Sequence, residues 1–181
     1  MKYKIKNIIV ISSILFATTN IIAKGFTVTS YDLKGQMSNN QVFNGFGCNG
    51  RNISPQLSWN NIPRGTKSFA ITMYDKDAPT SSGWWHWVVT NIDKHVYYIK
   101  KGASGNKMPK GSIQSKTDFG TSSFGGACPP KGSNAHTYIT TVYALDTKKL
   151  NITKNTNPAM VGYMINIHTI EKSSIVTYYK R

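Results

Sequence analysis

The sequence predicts a mostly β fold with antiparallel strands and one helix near its end. Residues 69–74 and 136–145 are two runs of apolar, β-branched and aromatic residues, each bounded by turn residues. Residues 84–91 form a third such run, which a short polar segment joins to the first. Helical spacing of apolar residues occurs in residues 158–170, with Asn157 placed to cap a helix there.

Shorter elements precede the first long strand. Residues 26–33 predict a short strand, and residues 42–50 predict an extended loop because they contain three glycines. Residues 52–59 predict a further extended segment, since Ser54 precedes a proline. Residues 61–66 predict the turn that leads into the first long strand.

The second half of the chain alternates loops with short elements. Residues 96–99 predict a short strand, and residues 102–123 predict a long polar loop of the kind that often carries function. Residues 125–132 predict a rigid connecting segment, and residues 175–179 predict a closing strand. No internal repeat or low-complexity segment interrupts this pattern.

The third run contains three indoles and an imidazole, and strand geometry predicts how they divide between the two faces. Side chains alternate along a strand with a period of two residues. One predicted face carries Trp85, Trp87 and Val89. The other predicted face carries Trp84, His86 and Val88, so that His86 faces groups at the end of the first strand.

The first 23 residues resemble a secretory signal peptide. Three lysines precede an apolar run at residues 8–16, and small residues lead to a predicted cleavage site after Ala23. We therefore expect residues 1–23 to be a signal peptide, residues 24–181 to be one domain, and the protein to be periplasmic or secreted. An uncleaved membrane anchor is the alternative, because Ile21 and Ile22 lengthen the apolar run.

The chain is strongly basic. It has 22 Lys and Arg residues against seven Asp and Glu residues, a formal net charge of +15 that falls to +12 if the leader is removed. Such a charge favours acidic partners, among them an anionic membrane surface, although it also serves solubility. The basic residues are scattered and match no nucleic-acid-binding signature, so we expect no nucleic-acid partner.

Cys48 and Cys128 are the two cysteines of the chain. An even number in an exported protein predicts a disulfide, which here would close a loop of about 80 residues and stabilise the fold by about 4 kcal/mol. A catalytic thiol is the alternative, and export disfavours it.

The candidate site residues each have an ordinary structural interpretation as well. Asp75 and Asp77 are typical of a capped turn, and His86 alone is typical of a hydrogen-bonded core histidine. Pro129 and Pro130 are typical of a stiffened loop. The other candidates are His136 and Tyr138.

Together these segments resemble the phosphatidylethanolamine-binding protein family, including its bacterial branch, which is also called Raf-kinase-inhibitor-like. Three motifs carry the resemblance. They are Asp75-Lys76-Asp77-Ala78-Pro79, with Lys76 where the family usually has Pro; Trp84-Trp85-His86-Trp87-Val88-Val89-Thr90-Asn91; and Gly126-Ala127-Cys128-Pro129-Pro130-Lys131-Gly132 followed by His136-Thr137-Tyr138. Residues 52–59 and the helix around Gly162 are also similar to the family.

The resemblance implies a large antiparallel sheet packed on a smaller one, with a small anion pocket at the surface. It implies a pocket for phosphate, acetate or a phospholipid head group. The implied ligand-binding residues are Asp75, Asp77, His86, Pro129, Pro130, His136 and Tyr138. Asp75 is expected either to orient and charge His86 or to accept a hydrogen bond from an ammonium or a protonated phosphate oxygen. A protonated imidazole would bind the anion more tightly as pH falls through about 6.5.

The function that follows is an exported, non-catalytic binding protein without cofactor or metal. A protein-interaction module, such as a protease inhibitor or a host-directed effector, is one alternative. A metal-dependent hydrolase is another, and the sequence lacks the HExxH and GxSxG motifs that would favour it. The sequence leaves open the physiological ligand, the protein partner and the oligomeric state, including a homodimer.

Overall fold

The computed structural model describes residues 25–181, so the predicted signal peptide and the alternative anchor lie outside the described residues. This part of the chain forms ten strands, a short 3-10 helix and one α-helix. The strands are β1 Thr27–Thr29, β2 Asn44–Gly45, β3 Cys48–Asn49, β4 Leu57–Asn60, β5 Ser68–Asp75, β6 Trp84–Asp93, β7 Tyr98–Ile99, β8 Ile113–Gln114, β9 His136–Leu145 and β10 Thr169–Tyr179. The 3-10 helix is Asn39–Gln41, and helix α1 is Pro158–Ile167.

The large sheet has five strands in the order β10-β9-β5-β6-β8, and its four long strands are joined by antiparallel pairs. A second sheet of three strands has the order β1-β4-β7, and β2 and β3 form a separate hairpin. This arrangement confirms the predicted fold class: mostly β, with antiparallel sheets and a helix near the end of the chain.

The main core lies between the two larger sheets. Val28, Leu57 and Trp59 of the small sheet pack with Phe69 and Ile71 of β5 in one buried cluster. Burial of large apolar side chains is the main favourable contribution to folding, at roughly 25 cal/mol per Å² of apolar surface. The three-stranded sheet therefore holds one face of the large sheet in place.

A smaller cluster covers the opposite face of the large sheet. Val161 and Ile165 of helix α1 pack with Ala70, Val88 and Leu145, which lie on three adjacent strands. The helix begins where the sequence predicts, with Pro158 in its first turn and the Asn157 side chain accepting a hydrogen bond of 2.9 Å from the Ala159 amide. Proline is pre-organised for this position.

The predicted alternation along β6 is wrong for Trp85 and Val88, because the strand contains a β-bulge, whereas Trp84 and His86 line the same cavity, in agreement with their predicted common face. Met73 pairs with Trp87 and Tyr74 pairs with Trp85, which leaves His86 without a partner in the register. Consequently Trp85 packs beside Val88 in the smaller cluster, whereas Trp87 and Val89 lie in the main core. A bulge inserts one extra residue and redirects the side chains beyond it, which strict alternation cannot predict.

The end of the chain also differs from the prediction. Helix α1 ends at Ile167, not at residue 170, and the last strand extends over Thr169–Tyr179 instead of residues 175–179. This strand pairs with β9 along nearly its whole length. Its early residues are polar because it is an edge strand, so no apolar run marks them in the sequence.

Two segments predicted as loops contain short strands. The glycine-rich stretch at 42–50 holds the β2–β3 hairpin, and the long loop at 102–123 holds β8. Strands of two residues depend on their partners, not on local sequence.

Among residues 25–181, no helix combines the length and the apolar character needed to cross a membrane.

Candidate functional site

Three neighbouring strands bring the candidate residues together at one end of the large sheet. Asp75 is the last residue of β5, and it pairs with Trp84 at the start of β6 and with Tyr138 near the start of β9. Because adjacent strands run antiparallel, the end of one lies beside the beginnings of its two neighbours. His86 and His136 are thereby placed at the same end of the sheet as Asp75.

A cavity of about 180 Å³ opens at this end of the sheet. Five residues predicted from the sequence line it: Asp75, His86, Pro129, Pro130 and His136. Its other lining residues are Phe46, Ala78, Pro79, Thr80, Trp84, Phe119 and Cys128.

Asp75 is a buried carboxylate with two hydrogen bonds. Its Oδ2 accepts from His136 Nδ1 at 2.7 Å, and its Oδ1 accepts from the Asp77 backbone amide at 2.9 Å. Burying a carboxylate is costly unless it is paired and hydrogen-bonded, and both conditions are met here. The expectation that Asp75 orients His86 is wrong, because the direct partner of Asp75 is His136.

His86 is also buried, and a main-chain carbonyl fixes its tautomer. Nδ1 lies 2.8 Å from the carbonyl oxygen of Gly125, so Nδ1 carries the proton and donates it. Burial lowers the pKa of His86 to about 4, although the Gly125 carbonyl and Asp75 partly oppose the change. At neutral pH His86 is therefore uncharged, and its Nε2 is a hydrogen-bond acceptor.

Tyr138 lies behind the cavity instead of lining it. Its ring is fully buried, with its centroid 5.2 Å from that of His86 and 6.5 Å from that of His136. Within residues 25–181 its hydroxyl has no hydrogen-bond partner. Burial, reinforced by the charge of Asp75, raises the pKa of Tyr138, so the phenol stays protonated. Tyr138 thus supports both imidazoles from below.

Asp77 lies in a neighbouring surface groove with Pro79, Pro130 and His136. Its Oδ2 accepts from the Thr137 backbone amide at 2.8 Å, and its Oδ1 accepts from Lys76 Nζ at 2.9 Å. Hydrogen bonds from Thr137 and Lys76 lower the pKa of Asp77 to about 2. Asp77 therefore ties the turn after β5 to the beginning of β9.

Aromatic side chains form the rim of the cavity, and two of them, Phe46 and Phe119, are not among the residues predicted from the sequence. Phe119 contacts Trp84 and His86 edge-on, with ring centroids 5.5 Å and 5.2 Å away, and it stacks on Phe46 at 5.8 Å. Phe46 stands between two glycines, a context typical of an exposed aromatic on a tight turn. Phe119 lies in an irregular loop, and nothing in its local sequence indicates the contact.

A covalent link and an arginine hold this rim. Cys48 and Cys128 form the predicted disulfide, with the two Cα atoms 6.0 Å apart. The β2–β3 hairpin is thereby joined to the loop that contains Pro129 and Pro130. Arg181 crosses the same junction, because Nε donates to the Pro129 carbonyl at 2.6 Å and Nη1 donates to the Gly47 carbonyl at 2.8 Å. Each planar guanidinium presents several donors in a fixed geometry, which suits such bridging.

Comparisons with known proteins agree with this architecture. The sequence profile described as phosphatidylethanolamine-binding protein matches residues 33–180. The chain is 47% identical over 180 residues to the UPF0098 protein YbcL of Escherichia coli, and the aligned region covers 97% of this chain and 98% of that protein. It is 44% identical over 146 residues to the UPF0098 protein YbhB of the same organism, covering 80% of this chain and 92% of that protein.

Solved structures extend the likeness to the fold. The crystal structure of E. coli YbcL, described as a new member of the mammalian PEBP family, superposes with a TM-score of 0.85 at 48% identity and covers 86% of this chain and 98% of that one. A phosphatidylethanolamine-binding protein homologue from Chlamydia trachomatis shares the fold, with a TM-score of 0.72 and 24% identity over 86% and 97% of the two chains. The profile match and the 47% identity to YbcL show that this chain belongs to the phosphatidylethanolamine-binding protein family.

Proposed function

We propose that this family member is an exported, non-catalytic binding protein whose cavity accepts a small phosphate-bearing ligand such as a phospholipid head group. The observation that carries the proposal is the cavity itself, where a buried Asp75–His136 pair and the buried His86 converge beneath an aromatic rim. Buried polar groups at the bottom of a small, mostly apolar cleft are typical of ligand-binding sites.

The protonation state of His86 defines the form of the ligand. At neutral pH the free Nε2 of His86 is an acceptor, and the Asp75 carboxylate is an acceptor as well. A fully ionised phosphate would meet these lone pairs without a proton to share. A phosphate monoester that keeps one proton, such as the free head group phosphoethanolamine, can donate it, whereas the diester of an intact phospholipid cannot. We therefore propose that the cavity selects the monoprotonated monoester.

Two potential nucleophiles that line the cavity are already engaged, which supports a binding role. The Thr80 hydroxyl donates to the Gly83 carbonyl, and the Cys128 sulfur is part of the disulfide. A nucleophile needs a free hydroxyl or thiol beside a general base. Absence of zinc from purified protein and of turnover with model esters tests this part, whereas stoichiometric zinc with activity lost on chelation would contradict it.

The test compares phosphoethanolamine with 2-aminoethyl sulfate, which has nearly the same shape but keeps no proton on its sulfate. The second pKa of a phosphate monoester is about 6. We expect phosphoethanolamine to bind with a Kd of roughly millimolar and to bind more tightly at about pH 5.5 than at about pH 7.5. The sulfate ester should bind more weakly, with little dependence on pH, when both are titrated by NMR.

Two variants test whether phosphoethanolamine binds in this cavity. His86→Ala should weaken phosphoethanolamine binding by about tenfold, the loss of one hydrogen bond to a charged group. His168→Ala, a change in a histidine outside the cavity lining, is the matched control and should bind as wild type does. Equal binding by His86→Ala and wild type at both pH values would contradict the assigned cavity.

Export is the remaining part of the proposal, and the disulfide supports it because such bonds persist in oxidising compartments. Intact mass of protein recovered from the native envelope should correspond to cleavage after Ala23, with two cysteines that react with alkylating reagent after reduction. Recovery of the uncleaved chain with two free thiols would contradict export.

A further inference from the structure

A group of lysines lies at the end of the large sheet opposite the cavity. Lys67 precedes β5, Lys94 follows β6, and Lys148 lies three residues after the end of β9. Since β5 has eight residues and each residue of a strand adds about 3.3 Å, this end is about 23 Å from Asp75. The lysines are therefore separate from the cavity under the aromatic rim.

Two adjoining surface grooves bring these lysines together with two more. One groove of about 330 Å³ is lined by Lys67, Lys94, Lys110 and Lys148. The other, of about 540 Å³, is lined by Lys110 and Lys154, and both grooves include Gly111. Because both are lined by Lys110 and Gly111, the two grooves adjoin at these residues, and we call them together the lysine groove.

The positive charge of the lysine groove is nearly uncompensated. Within residues 25–181 none of its five lysines lies within 4 Å of a carboxylate, since the Lys ion pairs there are Lys76–Asp77 and Lys101–Asp32. Of the described residues, Asp93 is the one acidic residue that lines the groove, and its Oδ1 accepts from the His95 amide at 2.9 Å. Like charges at close range repel one another, so a bound polyanion would relieve this repulsion.

The lining of the groove restricts the kind of polyanion. No aromatic residue contributes to the described lining, so nucleic-acid bases have no surface to stack on. Met108 and Ile113 line it, but both are partly buried, and the more exposed large apolar side chains, such as Tyr31 and Tyr163, lie outside it. The groove therefore presents little apolar surface that could insert into a bilayer. Two adjoining concave, basic grooves suit a linear chain that passes from one to the other.

We propose that the lysine groove binds a linear polyanionic glycan through its sulfate, phosphate or carboxylate groups. The five lysines supply point charges on flexible stems, which suits repeated anionic groups along a polymer more than a single geometrically defined ligand. This site is independent of the phosphate-binding cavity, so a ligand can occupy each at the same time.

The experiment measures binding of low-molecular-weight heparin by calorimetry at low ionic strength, about 50 mM salt, where screening is weak. The variant Lys94→Glu/Lys110→Glu should lower the affinity by about tenfold, and raising the salt should weaken wild-type binding steeply. Phosphoethanolamine binding by this variant should be unchanged, which keeps this test separate from that of the cavity.

The matched control is Lys34→Glu/Lys180→Glu, which makes the same change in net charge near β10, at the edge of the sheet opposite β8. It should reduce heparin affinity by less than about twofold, because long-range charge alone is screened. Equal losses in both double variants would overturn the proposal, since net charge would then explain binding. Binding of anionic phospholipid vesicles or single-stranded DNA without heparin binding would also overturn it.

Discussion

Strand β9 has a histidine–aspartate pair near each of its ends, and the two pairs differ in environment more than in geometry. At the cavity end, His136 Nδ1 lies 2.7 Å from Asp75, and the side chains are 6% and 4% exposed. At the other end, His168 Nδ1 lies 2.8 Å from Asp146, and the side chains are 33% and 58% exposed. Nearly equal distances therefore do not imply equal energies.

The difference shows how burial determines the role of a polar pair. Water screens the exposed pair, so it contributes little, whereas the buried pair cannot lose one partner without leaving the other unsatisfied. The cavity end is also held by the disulfide and Arg181. The far end carries the exposed lysines. We interpret the first end as a fixed small-ligand site and the second as an adaptable charged surface.

The largest expected effect comes from the covalent link at the cavity end. Replacing both Cys48 and Cys128 by Ala should lower the free energy of unfolding by about 4 kcal/mol, because the unfolded chain regains the freedom of a loop closed over 80 residues. Denaturant unfolding of variant and oxidised wild type measures the difference. A loss below about 1 kcal/mol would mean that the hairpin is held without the disulfide.

The two histidine–aspartate pairs can be compared directly by the same substitution. Asp75→Asn should destabilise the protein by about 3 kcal/mol, since it leaves the buried His136 without its carboxylate. Asp146→Asn, the matched control, should cost less than about 1 kcal/mol. Urea denaturation of both variants measures the two costs, and equal costs would refute the distinction drawn from burial.

The pH dependence of stability tests the burial of His86. Its pKa is about 4 in the folded protein, against about 6.5 when unfolded. Above pH 6.5 neither state binds the proton, so the full stability is present. Between 6.5 and about 4 the unfolded chain takes up a proton that the folded protein does not, so stability falls with decreasing pH, by about 2 kcal/mol at pH 5.

Removing the histidine isolates this contribution. His86→Gln should reduce the loss of unfolding free energy between about pH 6.5 and 5 by about 2 kcal/mol. His168→Gln, the exposed control, should leave this loss nearly unchanged. Thermal or urea unfolding at several pH values provides the measurement. An unchanged slope in His86→Gln would mean that its imidazole is solvated.

The smallest effect concerns the bridge across the rim. Arg181→Ala should cost about 1 kcal/mol of stability, because its hydrogen bonds to the Pro129 and Gly47 carbonyls are partly exposed. It should also weaken phosphoethanolamine binding, since Phe46 would be held less firmly. Lys180→Ala, which removes an exposed neighbouring charge, should change neither quantity, and a similar loss in both variants would contradict the bridging role.

Much of the fold could be predicted from local sequence. Strands β5, β6 and β9 are marked by runs of apolar and β-favouring residues, and helix α1 is marked by apolar residues at helical spacing. The bulge at His86 could not, since it exists only in the register between β5 and β6. The full length of strand β10 could not be predicted either, because an edge strand tolerates polar residues such as Glu171 and Lys172.

The candidate site could likewise be predicted only in part, because local motifs indicate its residues but not their contacts. Motifs identified Asp75, His86 and His136, and the topology brings them to one cavity. Which histidine pairs with Asp75 depends on cross-strand geometry, as does the pKa of His86, which requires knowing that its ring is buried. The contribution of Phe119 depends on a loop whose local pattern indicates nothing. Ligand binding by these residues stays a prediction.

The central claim is that a small phosphate ligand binds at the buried end of the large sheet, and an NMR titration with phosphoethanolamine tests it most directly. We expect saturable shifts of the backbone amides of Gly125, Gly126 and Thr137, which adjoin His86 and Asp77. The amides of Lys94 and Lys110 should not move. Shifts confined to those two lysines and their neighbours would contradict the account.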